Sequence, residues 1–477
     1  MGVLTRVFPP DVVDEVIAKA GRTEKRNRTL PARVMAYFAI GMAMHSEGSY
    51  EDVLSQLTDG LAWSSRWVES YNPPSKSAIF QARQRLGPEP MKALFQRVAV
   101  PIGTETTQGT WLAGRRLVAI DGVCLDVADT AENDAFFGRP GVNKGEQSAF
   151  PQARVVALAE CGTHAMFAAE IGKYSHSEAT LTERLLIRLS PGMLLLADRG
   201  FFSFALWRKA SATGADLLWR IRTDANGPRP EHVQDLPDGS WLAHLKKSTD
   251  HTDTPPMLVR VVDYTVGDGR ANPETYRLFT TLLNPDDVSA TELAAAYHQR
   301  WEIELTFDEL KTHQRGPRLV LRSKSPDLVQ QEIWGHLCCH YAIRTLMADA
   351  AQHRGNDPDR MSFVAALRIA RQSIAPRGAF PPYDTRARPA LAARPRSARA
   401  PAQPAPATAR RTARHQTQDA QVARQTPPPR RLAPPTYLAA QQLNGIGIGP
   451  GLAPLASRKT AVRLHEIGAF SILDSIG

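Results

Sequence analysis

Four side chains in the segment AYHQRWEIELTFDELKTH (296–313) have the types and the spacing of a site that handles phosphate groups. Tyr297, Arg300, Glu304 and Lys311 would lie on one face of a continuous helix, because each residue adds about 100° of rotation. An aromatic ring, a guanidinium, a carboxylate and an ammonium would then point the same way. A solvated polar stripe with an ordinary Arg300–Glu304 ion pair has the same pattern, so residues elsewhere must distinguish the two interpretations.

Two further carboxylates occur where an acid is costly to bury. Asp121 lies among apolar residues in RRLVAIDGVCLDVAD, and Asp198 follows the apolar run GMLLLA. Each could simply end a strand in a turn. If the two strands are neighbours and the helix that carries Glu304 packs over their ends, the three acids form a cluster of negative charge that requires a cation.

The ligand atoms of such a cluster predict its chemistry. Carboxylate oxygens without thiolate or imidazole favour Mg²⁺ or Mn²⁺ over zinc. Two such ions can activate a water or a 3′-hydroxyl and stabilise the leaving oxygen in an attack at phosphorus. Arg300 and Lys311 would bind DNA phosphates beside Glu304, and Tyr297 would stack on a base or a sugar.

The first 100 or so residues are predicted to be helical, because apolar residues recur every three or four positions in LPARVMAYFAIGMAMHSEGSYEDVLSQL. Within this region NPPSKSAIFQARQRLG has a possible cap at Ser75 and ends at Gly87. Lys76 and Arg83 are the candidate DNA contacts on this helix. A helix that enters a DNA groove has this composition, and so does an ordinary surface helix.

Beyond Pro101 the pattern changes to that of a mixed sheet flanked by helices. Strands are predicted around Asp121, on both sides of a Cys-Gly-Thr-His turn, and ending at Asp198. Residues 215–285 are β-rich, with Gly, Pro and Asp turns, and are long enough for a small all-β insertion. Helices return in 296–313 and again from about Pro326 to Ala350.

The net charge of +10 is concentrated at the end of the chain. From Arg377 onward there are 15 basic residues (Lys and Arg) and 4 acidic residues (Asp and Glu). Residues 1–376 contain 43 basic and 44 acidic residues. A DNA surface on the body must therefore come from local clustering. Four cysteines without a CxxC pair predict a reducing compartment and no disulfides. The longest apolar run near the start, 11 residues, is too short to span a bilayer, so a cytoplasmic protein without membrane contact is expected.

The pattern Y-x2-R-x3-E-x6-K, read at Tyr297, Arg300, Glu304 and Lys311, resembles the YREK signature of DDE transposases of the insertion-element-four family. The motifs IDG, at Asp121, and ADRGFF, at Asp198, stand where that family has its first two catalytic acids. The resemblance runs from about residue 33 to 344 and includes RSKSPDLVQQEIWG. It implies an α/β, RNase H-like core whose third acid lies on a C-terminal helix, with a β insertion before it.

The resemblance also implies an activity and partners. They are metal-dependent cleavage and strand transfer on double-stranded DNA, for cut-and-paste movement of an insertion sequence by a homodimer that pairs both element ends. Such an enzyme works in the bacterial cytoplasm, on nucleoid DNA. Two alternatives remain: a catalytically inactive DNA-binding descendant, which need not keep all three acids, and another RNase H-like nuclease, which would lack the Tyr-Arg-Glu-Lys pattern.

Five regions are predicted from these observations. They are a helical N-terminal domain that binds DNA ends (1–105), the first part of the catalytic core (106–214), the β-rich insertion (215–285), the second part of the core (286–376) and an Arg/Pro/Ala-rich tail (377–477). The tail is expected to be disordered, because its composition cannot bury enough apolar surface to offset chain entropy. It departs from the family pattern, in which a helical segment follows the core.

One aromatic residue outside the signature is a further candidate. Relatives that form hairpins stack an extruded base on a ring of the β insertion, and in TYRLFTTLLNP the matching ring is Tyr276. A stacked base returns about 1–3 kcal/mol of the cost of extrusion. The alternatives are that Tyr276 packs in a small β core and that Tyr297 provides the platform.

Overall fold

The computed structural model describes residues 2–26, 28–58, 74–141, 148–246, 255–267, 274–316, 320–372 and 462–465. Among these residues the N-terminal region is helical, as the apolar spacing predicted. Its helices are α1 (Gly2–Val7), α2 (Pro10–Lys19), α3 (Ala32–Met44), α4 (Tyr50–Thr58), α5 (Lys76–Leu86) and α6 (Glu89–Val98). The cap predicted for α5 is present, since the Ser75 side chain accepts a hydrogen bond from the backbone N–H of Ala78.

A large mixed sheet forms the centre of the molecule. Its strands are β1 (Trp111–Leu112), β2 (Arg115–Asp126), β3 (Gln152–Glu160), β4 (Met166–Lys173), β5 (Met193–Ala197), β6 (Asp216–Ile221), β7 (Glu231–Asp235), β8 (Trp241–Leu245), β9 (Met257–Gly267), β10 (Glu274–Thr280) and β11 (Val462–His465). The order is β4-β3-β2-β5-β6-β10-β9-β8-β7, while β1 pairs with β2 and β11 with β9. Strands β2, β5 and β6 run parallel, and β3 and β4 are antiparallel to their neighbours.

The β-rich segment after β6 continues this sheet, although the sequence suggested a separate insertion. Strand β10 pairs antiparallel with β6, and β9, β8 and β7 follow it outward. Pairing with β10 satisfies the backbone groups at the edge of β6 that would otherwise be exposed. The part of the chain predicted as a disordered tail lies outside the described residues, apart from β11.

The remaining helices lie on the two faces of the sheet. They are α7 (Ala131–Phe137), α8 (Glu178–Leu185), α9 (Phe204–Ser211), α10 (Ala290–His298), α11 (Trp301–Asp308), a π-helix (Glu309–Gln314), α12 (Pro326–Arg354) and α13 (Phe363–Gln372), with short 3-10 turns at Leu186–Arg188 and Pro358–Arg360. Alternate residues of β2 point to opposite faces. Leu117 and Ala119 join the apolar core that includes α3 and α12, and Val118 and Ile120 join the core under α8 and α9.

The segment predicted as one helix over 296–313 is divided into three pieces. Around residue 300 the backbone turns more tightly, because Arg300 and Ile303 donate to carbonyls three residues earlier instead of four. In the π-helix that follows, each turn is wider than in an α-helix. The prediction that four signature residues share one face is therefore wrong in detail: Tyr297 and Arg300 are buried, Glu304 is half-buried and Lys311 is exposed.

Candidate active site

The first two predicted acids lie side by side where β5 ends next to the middle of β2. The parallel ladder between β2 and β5 pairs Ile120 with Ala197. Asp121 is the next residue within β2, and Asp198 is the first residue after β5, so their backbones follow at adjacent positions. Helix α11, which carries Glu304, packs against β2. The structure thus brings the elements that carry the three predicted acids together at the end of β5.

Asp121 is held in an environment that disfavours its charge. Burial raises the pKa of its carboxyl to about 6, and the negative charges of Glu304 and Glu178 act in the same direction. The backbone N–H of Gly122, 2.8 Å from Asp121 Oδ1, and the guanidinium of Arg300 oppose the shift. The charge of Asp121 is therefore only partly compensated by the protein.

Arg300 and Tyr297 connect the other two acids. Arg300 donates from Nη2 to Glu304 Oε1 at 2.9 Å, and Tyr297 donates from Oη to Asp198 Oδ1 at 3.4 Å. Burial alone would lower the pKa of Arg300, but its interactions with the Tyr297 phenol and with the carboxylates of Asp198 and Glu304 raise it above its ordinary value. The guanidinium thus supplies positive charge to this group of acids. Only 1% of Tyr297 is exposed, so its ring is packed inside the protein and is not accessible to a DNA base.

A different trio of ligand-type side chains is closer together. Among the described residues, His164, Glu302 and Asp359 are the set whose ligand atoms all lie within 4.8 Å of one another, so the three predicted acids are farther apart than that. Arg344 donates to His164 Nδ1 at 2.5 Å. His164 Nε2 lies 3.1 Å from Asp359 Oδ1. Among the described residues, His164 Nε2, Asp359 Oδ1 and Glu302 Oε1 are buried without a hydrogen-bond partner, so this trio is a second cluster of ligand-type groups, separate from the three predicted acids.

The three predicted acids fit a hard divalent cation by their chemistry. Asp121, Asp198 and Glu304 offer only carboxylate oxygens, the ligands that Mg²⁺ and Mn²⁺ prefer. The raised pKa of Asp121 shows that added positive charge at this position would be stabilising. The same residues would hold the metal that the sequence predicted.

The predicted DNA contacts of helix α5 have different environments. Lys76 is exposed in the first turn. Arg83 is fully buried, and its guanidinium donates to Gln331 Oε1 at 2.9 Å, to Tyr50 Oη at 2.6 Å and to Ser323 Oγ at 3.0 Å. A DNA contact by Arg83 would require these bonds to break. The structure gives Arg83 a role in holding α5 against the start of α12.

Tyr276 is in the environment that the packing alternative predicted. Its ring stacks on that of Tyr264, with centroids 5.2 Å apart, and the guanidinium of Arg220 lies 4.0 Å from the ring centroid. The residue is 8% exposed. A base could stack on Tyr276 only after one of these neighbours moved.

The sequence interpretation missed Glu178, the first residue of α8, because the residue is an ordinary helix-start acid in the sequence. In the fold its carboxyl lies against Gly122, where an added Cβ would come within 2.7 Å of Glu178 Oε1. Trp301 and Leu305, exposed on α11 beside Glu304, were also missed. Their spacing of four residues, in a helix with many charged residues, was the signal in the sequence that both lie on one exposed face.

Comparisons with known proteins identify the family of the chain. Residues 1–96 match the family described as "Insertion element 4 transposase N-terminal", and residues 112–342 match "Transposase DDE domain". The chain is 32% identical over 355 residues to the transposase InsG of insertion sequence element IS4 from Escherichia coli K12, covering 74% of this chain and 78% of the relative. It is 28% identical over 217 residues to the putative transposase InsZ of the same organism, covering 45% and 69%.

Among solved structures, the piggyBac transposase in a synaptic complex with hairpin DNA aligns over 78% of this chain and 79% of its own, with 10% identity and a TM-score of 0.38. The domain matches and the sequence relatives define the class: the protein is a DDE transposase, an enzyme that cleaves DNA, and this class requires divalent metal. The chain belongs to the insertion element 4 family of these transposases. None of the helices in the described residues is long and apolar enough to cross a bilayer.

Proposed function

We propose that this transposase catalyses metal-dependent strand cleavage and strand transfer on double-stranded DNA, and that Asp121, Asp198 and Glu304 hold two Mg²⁺ or Mn²⁺ ions. The placement of Asp121, within β2, beside Asp198, at the end of β5, carries the proposal. Their adjacency follows from the register of the sheet and needs no rearrangement. Glu304 approaches Asp121 from α11, which packs on β2.

We further propose that the core is RNase H-like. The strand order β4-β3-β2-β5-β6 supports this, because three antiparallel strands are followed by two that run parallel to β2. The third acid then comes from a helix after the sheet, as the resemblance implied. Strands β7 to β10 would be the counterpart of the insertion, joined edge to edge with the core.

The other signature residues would act on the DNA and on the acids. Bound metal supplies the charge that activates the attacking oxygen and stabilises the leaving one. Tyr297 orients Asp198 through its hydroxyl. Arg300 is buried and neutralises Glu304 in the absence of DNA, so it would pair with a phosphate only after its bond to Glu304 opened, while exposed Lys311 would bind a phosphate directly.

The proposal includes a biological setting. The enzyme would move an insertion sequence by a cut-and-paste route, as a homodimer that holds both element ends, on nucleoid DNA in the bacterial cytoplasm. Helix α5 would contribute Lys76 to end binding. Inverted repeats immediately outside the coding region are the genomic observation that this setting predicts.

Isosteric replacement of the acids tests the chemistry. Asp121→Asn, Asp198→Asn and Glu304→Gln should each reduce strand cleavage of a terminal-repeat duplex below detection while leaving end binding near normal. Asp308→Asn, an exposed acid on the same helix as Glu304, is the matched control and should cleave normally. Retention of more than a few per cent of the parent rate by Asp198→Asn would remove that residue from the site. End binding without cleavage by the parent chain would favour the inactive descendant.

A further inference from the structure

The chain between Glu304 and Lys311 contains an uncommon turn. Helix α11 passes directly into the six-residue π-helix Glu309–Gln314. In an uninterrupted α-helix seven residues amount to nearly two full turns, so Glu304 and Lys311 would be aligned. The wider π-turns change this alignment, and such turns are frequent at functional sites. The direction of Lys311 relative to Glu304 therefore depends on what holds the π-helix in place.

Glu309, the first residue of the π-helix, is tied to α12. Its carboxylate accepts hydrogen bonds from Arg344 Nε at 2.9 Å and from Arg344 Nη2, and lies 3.1 Å from His340 Nε2. Burial would raise the pKa of Glu309, but the charge of Arg344 and the hydrogen bond with His340 outweigh it and lower the pKa to about 2. The carboxylate is thus ionised and strongly bound.

The partners of Glu309 are buried residues of α12. His340 and Arg344 are four residues apart on α12, so they share one face, and both are buried. Arg344 also donates to His164 in the turn between β3 and β4. Through one guanidinium, the π-helix is connected to the longest helix and to the sheet.

Lys311 is exposed, and its charge acts on the strand β2. Burial raises the pKa of the Cys124 thiol on β2, and the positive charges of Arg154 and Lys311 oppose the shift. Cys124 is three residues beyond Asp121, and the Lys311 side chain is exposed. Lys311 follows Glu304 by seven residues in the same helical segment, so a phosphate that it binds would lie near the helix that carries the third acid.

We propose that Glu309 is a positioning residue, which fixes the π-turn through Arg344 and His340 and so directs Lys311 toward the DNA phosphate beside the catalytic acids. This inference rests on the proposed function of Lys311 and assigns Glu309 no contact with substrate or metal. The cycle of Glu309→Gln, Lys311→Ala and the double variant separates this role from a structural one. Asp308→Asn is the control, because the Asp308 carboxylate contacts Thr312 and His313 in the same segment, and no hydrogen bond or ion pair joins it to α12 in the part of the chain that the structure describes.

The cycle is measured by single-turnover cleavage of a terminal-repeat duplex. A displacement of about 1 Å can lower a rate by roughly 100-fold, and we expect a loss of that order for Glu309→Gln. If Glu309 acts through Lys311, the double variant is no slower than Lys311→Ala alone, and Asp308→Asn is normal. Multiplied losses in the double variant would mean that Glu309 stabilises the protein without directing Lys311, and would overturn the proposal.

A second measurement does not depend on cleavage. Each phosphate neutralised by a lysine adds about 0.9 to the slope of log binding constant against log salt. In metal-free buffer, this slope should be smaller than that of the parent by about 0.9, the contribution of one phosphate, in Lys311→Ala, in Glu309→Gln and in the double variant alike. A parent-like slope for Glu309→Gln overturns the proposal, whereas a parent chain that binds but never cleaves counts against the proposed function alone.

Because Glu309→Gln leaves a buried arginine unpaired, the variant is also made together with Arg344→Gln, which removes both charges. The slope of this pair should match that of Glu309→Gln. A pair that folds and binds with the parent slope would equally overturn the proposal.

Discussion

At the scale of the residue, Asp121 combines burial with two neighbouring carboxylates. In the metal-free protein its pKa is about 6, against an ordinary value of 3.8. The folded state therefore binds the proton more tightly than the unfolded state. Stability that depends on this proton is present below about pH 4 and is lost as the pH rises toward 6. Above pH 6 the ionised carboxylate destabilises the fold unless a cation is bound.

The variant Asp121→Asn should remove this cost. At pH 8 in a chelator the variant should be more stable than the parent by at most about 3 kcal/mol, which is the equivalent of the pKa shift. Added Mn²⁺ should stabilise the parent and leave the variant unchanged. Denaturant unfolding with and without Mn²⁺ measures both effects. Equal stability of parent and variant in the chelator would show that Asp121 carries no such strain.

A second prediction concerns Tyr276. Loss of a buried aromatic ring typically costs about 3–5 kcal/mol, so Tyr276→Ala should lower thermal stability and slow first-strand nicking and the later joining or hairpin step together. Tyr276→Phe keeps the ring and should retain both steps. The rates of the two steps are measured separately on one duplex. Normal nicking by Tyr276→Ala with a slow later step, and a lost 2-aminopurine signal at the flanking base, would restore the base-stacking role.

The residues that could be predicted from the sequence are those whose local context is unusual. Asp121 and Asp198 interrupt apolar strands, and burial of an isolated acid requires a reason. Arg83 could not be predicted, because its partners Gln331 and Ser323 are some 240 residues away in the chain. A basic residue on an amphipathic helix has the same local pattern whether it faces DNA or a distant glutamine.

At the scale of the element, α12 is the helix on which the N-terminal region and the catalytic core meet. Helix α3 packs along α12, and α6 contacts it as well. The approach is closest at Gly335, where an added Cβ would lie 2.4 Å from the carbonyl oxygen of Ala39. Only a residue without a side chain allows the two backbones to come this near.

The third prediction uses this contact. Gly335→Ala should be destabilising despite the helix propensity gain of about 1 kcal/mol, because forced overpacking typically costs about 1–3 kcal/mol and here the neighbour is backbone. Gly41→Ala on α3 is the matched comparison. Its Cβ would meet terminal atoms of Leu57, which can move, so its loss should be smaller. Thermal unfolding of both variants decides, and a larger loss for Gly41→Ala would contradict this view of the interface.

The positions of helices and strands could be predicted from the sequence, whereas the breaks within the helical segment 296–313 could not. The strands β2 to β5 and helix α12 follow from runs of apolar residues. No glycine or proline within residues 296–313 indicates the turn at Arg300 or the π-helix. They arise from contacts with distant parts of the chain, such as Glu309 with Arg344, which periodicity cannot contain.

At the scale of the whole molecule, charge and fold are distributed differently. Residues 1–376 are close to neutral, and the segment from Arg377 has an excess of 11 positive charges. Solvated charges of this kind bind DNA without sequence preference and with strong salt dependence. The tail should therefore add affinity that the catalytic core lacks.

Deletion of residues 377–477 gives the fourth prediction. The core fold should be preserved, because its buried residues all lie before that point among the described residues. Affinity for unrelated DNA should fall, and its dependence on salt should become shallower. Binding across a salt series with and without the tail tests this. Identical slopes would exclude the tail as a DNA-contacting arm, and loss of cooperative unfolding would show that β11 supports the sheet.

During synthesis on the ribosome, α3 is made well before α12, the helix against which it packs. Helix α3 ends at Met44, and α12 begins at Pro326. At about 5–20 residues per second, the ribosome needs roughly 15–60 s to make the chain between them. Residues 34–44 of α3, all buried in the finished protein, have no α12 to cover them during that interval. The surface of α3 that α12 covers therefore stays open until α12 emerges from the ribosome, and the N-terminal region completes its packing only after the strands next to Asp121 and Asp198 have been made.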